Sequence, residues 1–150
     1  MNMKVPGMKG IGTLATNKLE TAQNNAFSYL LIEKLLIEDR FSWLQCHIKD
    51  TTLIGEGILW IKGKKYRVAI LYSYFLPRRF DRIWIKDPHI TFHPDTHMYS
   101  DSTLCLYHPD DLSIRVLTPL ATMIPWIGEW LIKYEFWKKY AVWIGDEAPH

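Results

Sequence analysis

The apolar residues between Leu44 and Asp87 recur with a period of two, and that period most limits how this chain can fold. In "SWLQCHIK", Leu44, Cys46 and Ile48 alternate with Trp43, Gln45 and His47. Successive side chains of a strand point to opposite faces, so this pattern predicts a half-buried strand. "GEGILWIKGKKYRVAILYSYF" predicts two more strands. "KGKK" is the turn between them, because Gly63 is free to take a positive φ. "FDRIWIKD" predicts a fourth strand. Short connections make the run an antiparallel meander.

Helical spacing flanks the meander. Asn17 and Glu20 stand three residues apart, the spacing of a capping box. Leu19, Ala22, Ala26, Leu30 and then Leu35 to Ile37 follow at roughly helical intervals. Together they predict a helix over 18–38, ending in the charged cluster Glu38-Asp39-Arg40. From Pro88 to about Leu117 periodicity fails, in a stretch rich in Pro, Asp, Ser, Thr and His. A connection this long inside a compact domain is uncommon and often carries function. Thr118-Pro119 reads as an N-cap followed by proline in the first turn. Pro125 predicts a kink or a restart. Ile127, Trp130, Leu131, Tyr134, Trp137 and Ala141 then form an apolar stripe, with Glu129–Lys133 and Glu135–Lys139 as i,i+4 pairs on the other face. The expected class is α+β: an N-terminal helix, a four-stranded antiparallel meander, a long loop and C-terminal helices. A length of 150 residues fits one domain over 1–150, with 1–16 expected as a flexible arm.

Charge and cysteine content narrow the function. A formal charge of +2 is too small to argue for nucleic acid, and the basic spots at Lys62-Gly-Lys64-Lys65 and at Arg78-Arg79 with Arg82 read as solvated turns. Two cysteines make no disulfide framework, which points to a reducing, cytoplasmic setting. The N-terminus lacks the apolar centre of a secretory signal, and no apolar run is long enough for a membrane-spanning helix. Nothing in the sequence calls for a cofactor.

The chemistry concentrates in "HMYSDSTLCLYHPDD", His97 to Asp111. Cys46 sits on the apolar side of its strand and reads as a small buried hydrophobe. Cys105 is different, with Leu104 and Leu106 to anchor a short extended segment and polar residues on both sides. Three readings stay open on the residues alone: ordinary burial, a metal site, and a nucleophile. Zinc would draw on His93, His97, Cys105 and His108, although only the Cys105–His108 gap suits it. A nucleophile needs a thiolate fraction, which His97 or His108 would raise. A Cys–His hydrolase has the residue types but no surrounding signature.

The order helix, meander, cysteine-bearing loop, helices resembles the ubiquitin-conjugating enzyme fold. In that family a segment like "HPNIxxxGxICL" leads to the cysteine, and "DTHMYSDSTLCL" overlays it without a gap. His97 falls at the family's Asn and Ser102 at its Gly, so a remodelled turn before the cysteine is expected. The chain is more similar still to bacterial relatives found with CBASS antiphage systems. Their "HxYxDGxLCLYxPxD" is met by His97, Tyr99, Asp101, Leu104-Cys105-Leu106-Tyr107, Pro109 and Asp111. Their "WxxEWLxxYExWxxxxxWxGxExPH" is met by Trp126, Glu129-Trp130-Leu131, Tyr134-Glu135, Trp137, Trp143, Gly145, Glu147 and Pro149-His150.

The resemblance implies that Cys105 takes a protein C-terminus as a thioester and passes it to an amine. The donor or target would be a CBASS nucleotidyltransferase or a ubiquitin-like protein, loaded by a separate activating enzyme if one is required. His97 would donate to the developing oxyanion in place of Asn, act as a base, or brace the loop. Asp110 or Asp111 would orient the incoming amine or cap the turn after Pro109. Tyr99, Asp101 and His108 would support the site. The fold used as a non-catalytic binding module, or a zinc protein, is the alternative.

Overall fold

The computed structural model describes residues 24–73, 75–76, 79–107 and 119–145. The first helix, α1, occupies 24–40 within that range. Four strands follow: β1 (Leu44–Lys49), β2 (Thr52–Ile61), β3 (Lys64–Tyr72) and β4 (Asp81–Asp87). They pair in sequence order, every neighbour antiparallel. The second helix, α2, runs Leu120–Tyr140. The expected arm over 1–16 and the Asn17–Glu20 capping box lie outside the described residues.

The period of two survives in three dimensions. Leu44 and Cys46 of β1, Leu53 and Ile61 of β2, Tyr66, Val68, Ile70 and Tyr72 of β3, and Ile83 and Ile85 of β4 are buried. Lys62 and Gly63 both take positive φ, 50° and 79°, between paired Ile61 and Lys64. Two such residues form the type of turn whose twist matches the flanking strands. β2 starts at Thr52, before the Gly55 with which the expected strand opened. Gly57 is there because nothing larger fits: a Cβ would lie 2.1 Å from the Trp43 carbonyl oxygen.

The α1 face differs from the expected one. Ala26, Leu30, Glu33 and Ile37 are buried, while Leu35 is 59% exposed. Helical spacing runs 26, 30, 33, 37, so Leu35 points away and an acid stands in the core. The reason lies in α2. Pro119 occupies the N-cap and supplies no side-chain bond, and the expected cap, Thr118, lies outside the described residues. A Glu33 carboxylate oxygen instead accepts the Ala121 N–H at 3.0 Å. An anion at the positive end of a helix satisfies one of its orphan donors.

Among the described residues α2 is a single helix, and it is helical on both sides of Pro125. Pro125 is exposed, so its ring does not disturb the buried face. Ile127, Trp130 and Leu131 are buried, as the stripe predicted, but Ala141 is the exposed left-handed C-cap. Glu129 pairs with Lys133 at 3.4 Å, whereas Glu135 is taken by Lys64 of β3 at 2.6 Å and Lys138 at 3.2 Å rather than by Lys139. No described helix is long and apolar enough to cross a membrane.

Candidate active site

After β4 the chain holds no regular element up to Tyr107, but it is anchored. Met98 and Leu104 form an isolated antiparallel bridge, and both are buried. The Tyr99 N–H donates to the Thr103 carbonyl (2.8 Å) and the Ser102 N–H to the Tyr99 carbonyl (2.9 Å). This is a tight hairpin, 98–104, of the kind that needs one left-handed residue near its tip. Ser102 takes that role with φ 67°. Serine here adopts the conformation glycine favours, and its Oγ accepts the Phe92 N–H at 3.0 Å. The Leu104 N–H donates to the Ile83 carbonyl of β4 at 2.7 Å. The second arm of the hairpin is therefore docked on β4, and Cys105 follows directly.

Cys105 is 4% exposed, not displayed in an open groove. Its N–H donates to the His97 carbonyl (3.1 Å), and its Sγ donates to the Tyr107 carbonyl (3.2 Å). The Tyr99 phenol is hydrogen-bonded to the same sulfur. Burial is the largest influence on the thiol and pushes its pKa up; the Tyr99 hydrogen bond and the charge of Arg79 pull the other way without winning, and the charge of Asp81 adds to the rise. Burial also pushes Tyr99 up to about 12. Near neutral pH the resting site therefore holds a neutral thiol beside a neutral phenol.

Asp81, the first residue of β4, lies beneath. It is 1% exposed, and its Oδ1 accepts the Tyr107 hydroxyl at 2.7 Å. Burial raises the Asp81 carboxyl, and the Tyr107 hydrogen bond and nearby Arg79 only partly offset it. Tyr107 is raised by burial and then by the charge of Asp81. Arg79 spans the hairpin. Its guanidinium lies 3.5 Å from the Tyr99 ring centroid, and its Nη2 donates to Asp101 Oδ2 (2.9 Å) and Thr103 Oγ1 (2.8 Å). Asp101 Oδ1 accepts both the Thr103 N–H (3.0 Å) and its hydroxyl (2.5 Å). Burial alone would raise the Asp101 carboxyl, but the Thr103 bonds and the charges of Arg79 and Arg82 outweigh it, so it lies below its ordinary value.

His97 is half-buried and takes a positive φ of 47°. Its ring stacks on Trp143 at 5.4 Å between centroids, and its carbonyl also accepts the Trp130 indole N–H at 3.0 Å. The expected group is thus partly assembled: Cys105 with Tyr99 by side chain, His97 by backbone, and Asp101 through Arg79. His108, Asp110 and Asp111 lie outside the described residues. Among the described residues no three His, Cys, Asp or Glu side chains converge as metal ligands would, and that set includes His93, His97 and Cys105 of the zinc reading. Arg79, Asp81 and Tyr107 were not expected as partners of the cysteine.

A helix, a four-stranded antiparallel meander and a further helix, with a cysteine hairpin docked beside the last strand, is an arrangement consistent with the ubiquitin-conjugating, or E2-like, fold. The family model of the Type II CBASS E2 protein matches residues 33–150, and the chain belongs to that family. It is a CBASS-associated, E2-like protein. No curated protein and no solved structure matches it.

Proposed function

We propose that this chain is a thioester-forming acyl carrier of antiphage defence, with Cys105 as nucleophile. The observation that supports the reading is the setting of that thiol: a cysteine at the base of a braced hairpin, hydrogen-bonded by Tyr99 and tied through its backbone to His97. In the first step Cys105 Sγ bonds to the activated carbonyl carbon of a protein C-terminus. The activating group leaves with its electron pair, and the thiol proton passes to a base. In the second step an amine attacks that carbon and gives up a proton to a base, the C–S bond breaks, and the sulfur leaves as thiolate. Splitting one acyl transfer into two steps lowers each barrier. The donor is the C-terminus of a CBASS nucleotidyltransferase or of a ubiquitin-like protein, loaded by an activating enzyme if one is required. His97 acts as oxyanion donor, as base, or as a brace of the loop.

Incubation with each donor and activator, followed by non-reducing electrophoresis, tests the reading. A thiol-sensitive adduct should form, vanish in Cys105→Ala, and become a stable oxyester in Cys105→Ser. An adduct that persists in Cys105→Ala overturns the assignment. The near-complete burial of Cys105 favours one second reading, a binding module in which the cysteine only packs. That reading expects Cys105→Ala to keep both partner binding and phage protection.

A further inference from the structure

Arg79 is the residue whose contacts ordinary packing explains least. Its side chain is 15% accessible, less than the 25% of Arg82, the other cation that meets Asp101. One of its nitrogens, Nη1, is fully buried and has no hydrogen-bond partner among the described residues. A charged donor left unmet is costly, so such a group calls for an explanation. The other contacts supply one. Arg79 grips the hairpin at three points: the ring of Tyr99 on the first arm, Asp101 at the tip and Thr103 on the second arm. Tyr99 is the side chain that meets the Cys105 sulfur, and Thr103 stands two residues before it.

We propose that Arg79 is a positioning residue for Cys105: by clamping both arms of the 98–104 hairpin and stacking on Tyr99, it holds the phenol against the thiol. A planar, forked guanidinium stacks and donates in two directions at once, which a lysine ammonium does not. Among the described residues the other groups acting on the thiol are Tyr99, Tyr107 and Asp81, with Asp101 and Arg82 at the hairpin tip. The proposal rests on the carrier reading for its biological meaning, but its test needs no acyl donor.

The test follows the Cys105 Cβ by NMR titration with isotope-labelled cysteine, together with the pH profile of iodoacetamide alkylation. Arg79→Gln should move the titration to higher pH and slow alkylation at neutral pH about threefold. Arg79→Lys, which keeps the charge, should recover only part of this. Thr103→Val leaves every charge in place and removes one acceptor of the clamp; it should shift the titration the same way by a smaller amount. Wild-type titration in both Arg79→Gln and Thr103→Val overturns the proposal. A shift in Arg79→Gln with none in Thr103→Val also overturns it, because charge alone then suffices. If Arg79→Gln does not fold, Arg79→Lys and Thr103→Val decide by the same criterion. A chain that never forms an adduct, yet shows these shifts, contradicts the carrier reading and supports the clamp.

Discussion

Cys46 and Cys105 are both buried, 7% and 4% exposed, and burial raises both thiols. Burial alone therefore does not separate the core cysteine from the proposed nucleophile. Cys46 projects from β1 against Gly55, where an added Cβ would lie 3.3 Å from its sulfur, and besides burial only the opposed charges of Glu38 and Lys34 act on it. Its pKa rises to about 11. Cys105 faces Tyr99, Arg79, Asp81 and the Tyr107 backbone. Those polar groups are themselves expensive to bury, and a packing role gives no reason to collect them there. The difference between the two sites lies in what surrounds the sulfur, not in how deep it is.

The largest expected contrast is in adduct formation. Cys105→Ala should reduce it to background, while Cys46→Ala should leave it intact and lower stability by roughly 1 kcal/mol in urea unfolding. Loss of the adduct in both variants would erase the distinction. A smaller contrast is in the pH profile of alkylation. Both thiols bind their protons more tightly in the fold than a free thiol of pKa about 8.5 does. Their thiolate is a small fraction at neutral pH, so alkylation is slow there and rises as the pH climbs past that value. Cys105 should react first and Cys46 only towards pH 11. The reverse order, followed by peptide mass spectrometry, would break the comparison. The smallest effect is at Asp81, whose charge helps keep Cys105 protonated. Asp81→Asn should speed Cys105 alkylation about twofold to threefold at neutral pH and leave Cys46 unchanged.

The sheet was legible because a strand's period of two is written locally, and Gly63 marks its turn. The core face of α1 was read less well. Leu35 fits an apolar pattern, but Glu33 takes the inward place because α2 needs a cap, a demand made 88 residues away. The cysteine segment could be found by motif, and Leu104 was correctly expected as its anchor. Its brace was not legible. Arg79 stands 22 and 24 residues before its partners Asp101 and Thr103, and in sequence it looks like one more surface cation. The left-handed backbone of His97 and Ser102 was equally hidden, since neither is glycine. Stacking of His97 on Trp143 joins two motifs that the sequence shows only as separate.

Intact-mass spectrometry with peptide mapping is the direct test of the proposal that Cys105 carries an acyl group. Wild-type protein incubated with an activated donor C-terminus should gain one donor mass, lose it on treatment with excess thiol, and map to the peptide containing Cys105. A donor mass that maps to Cys46 or to a lysine, or that survives the thiol, would contradict the account.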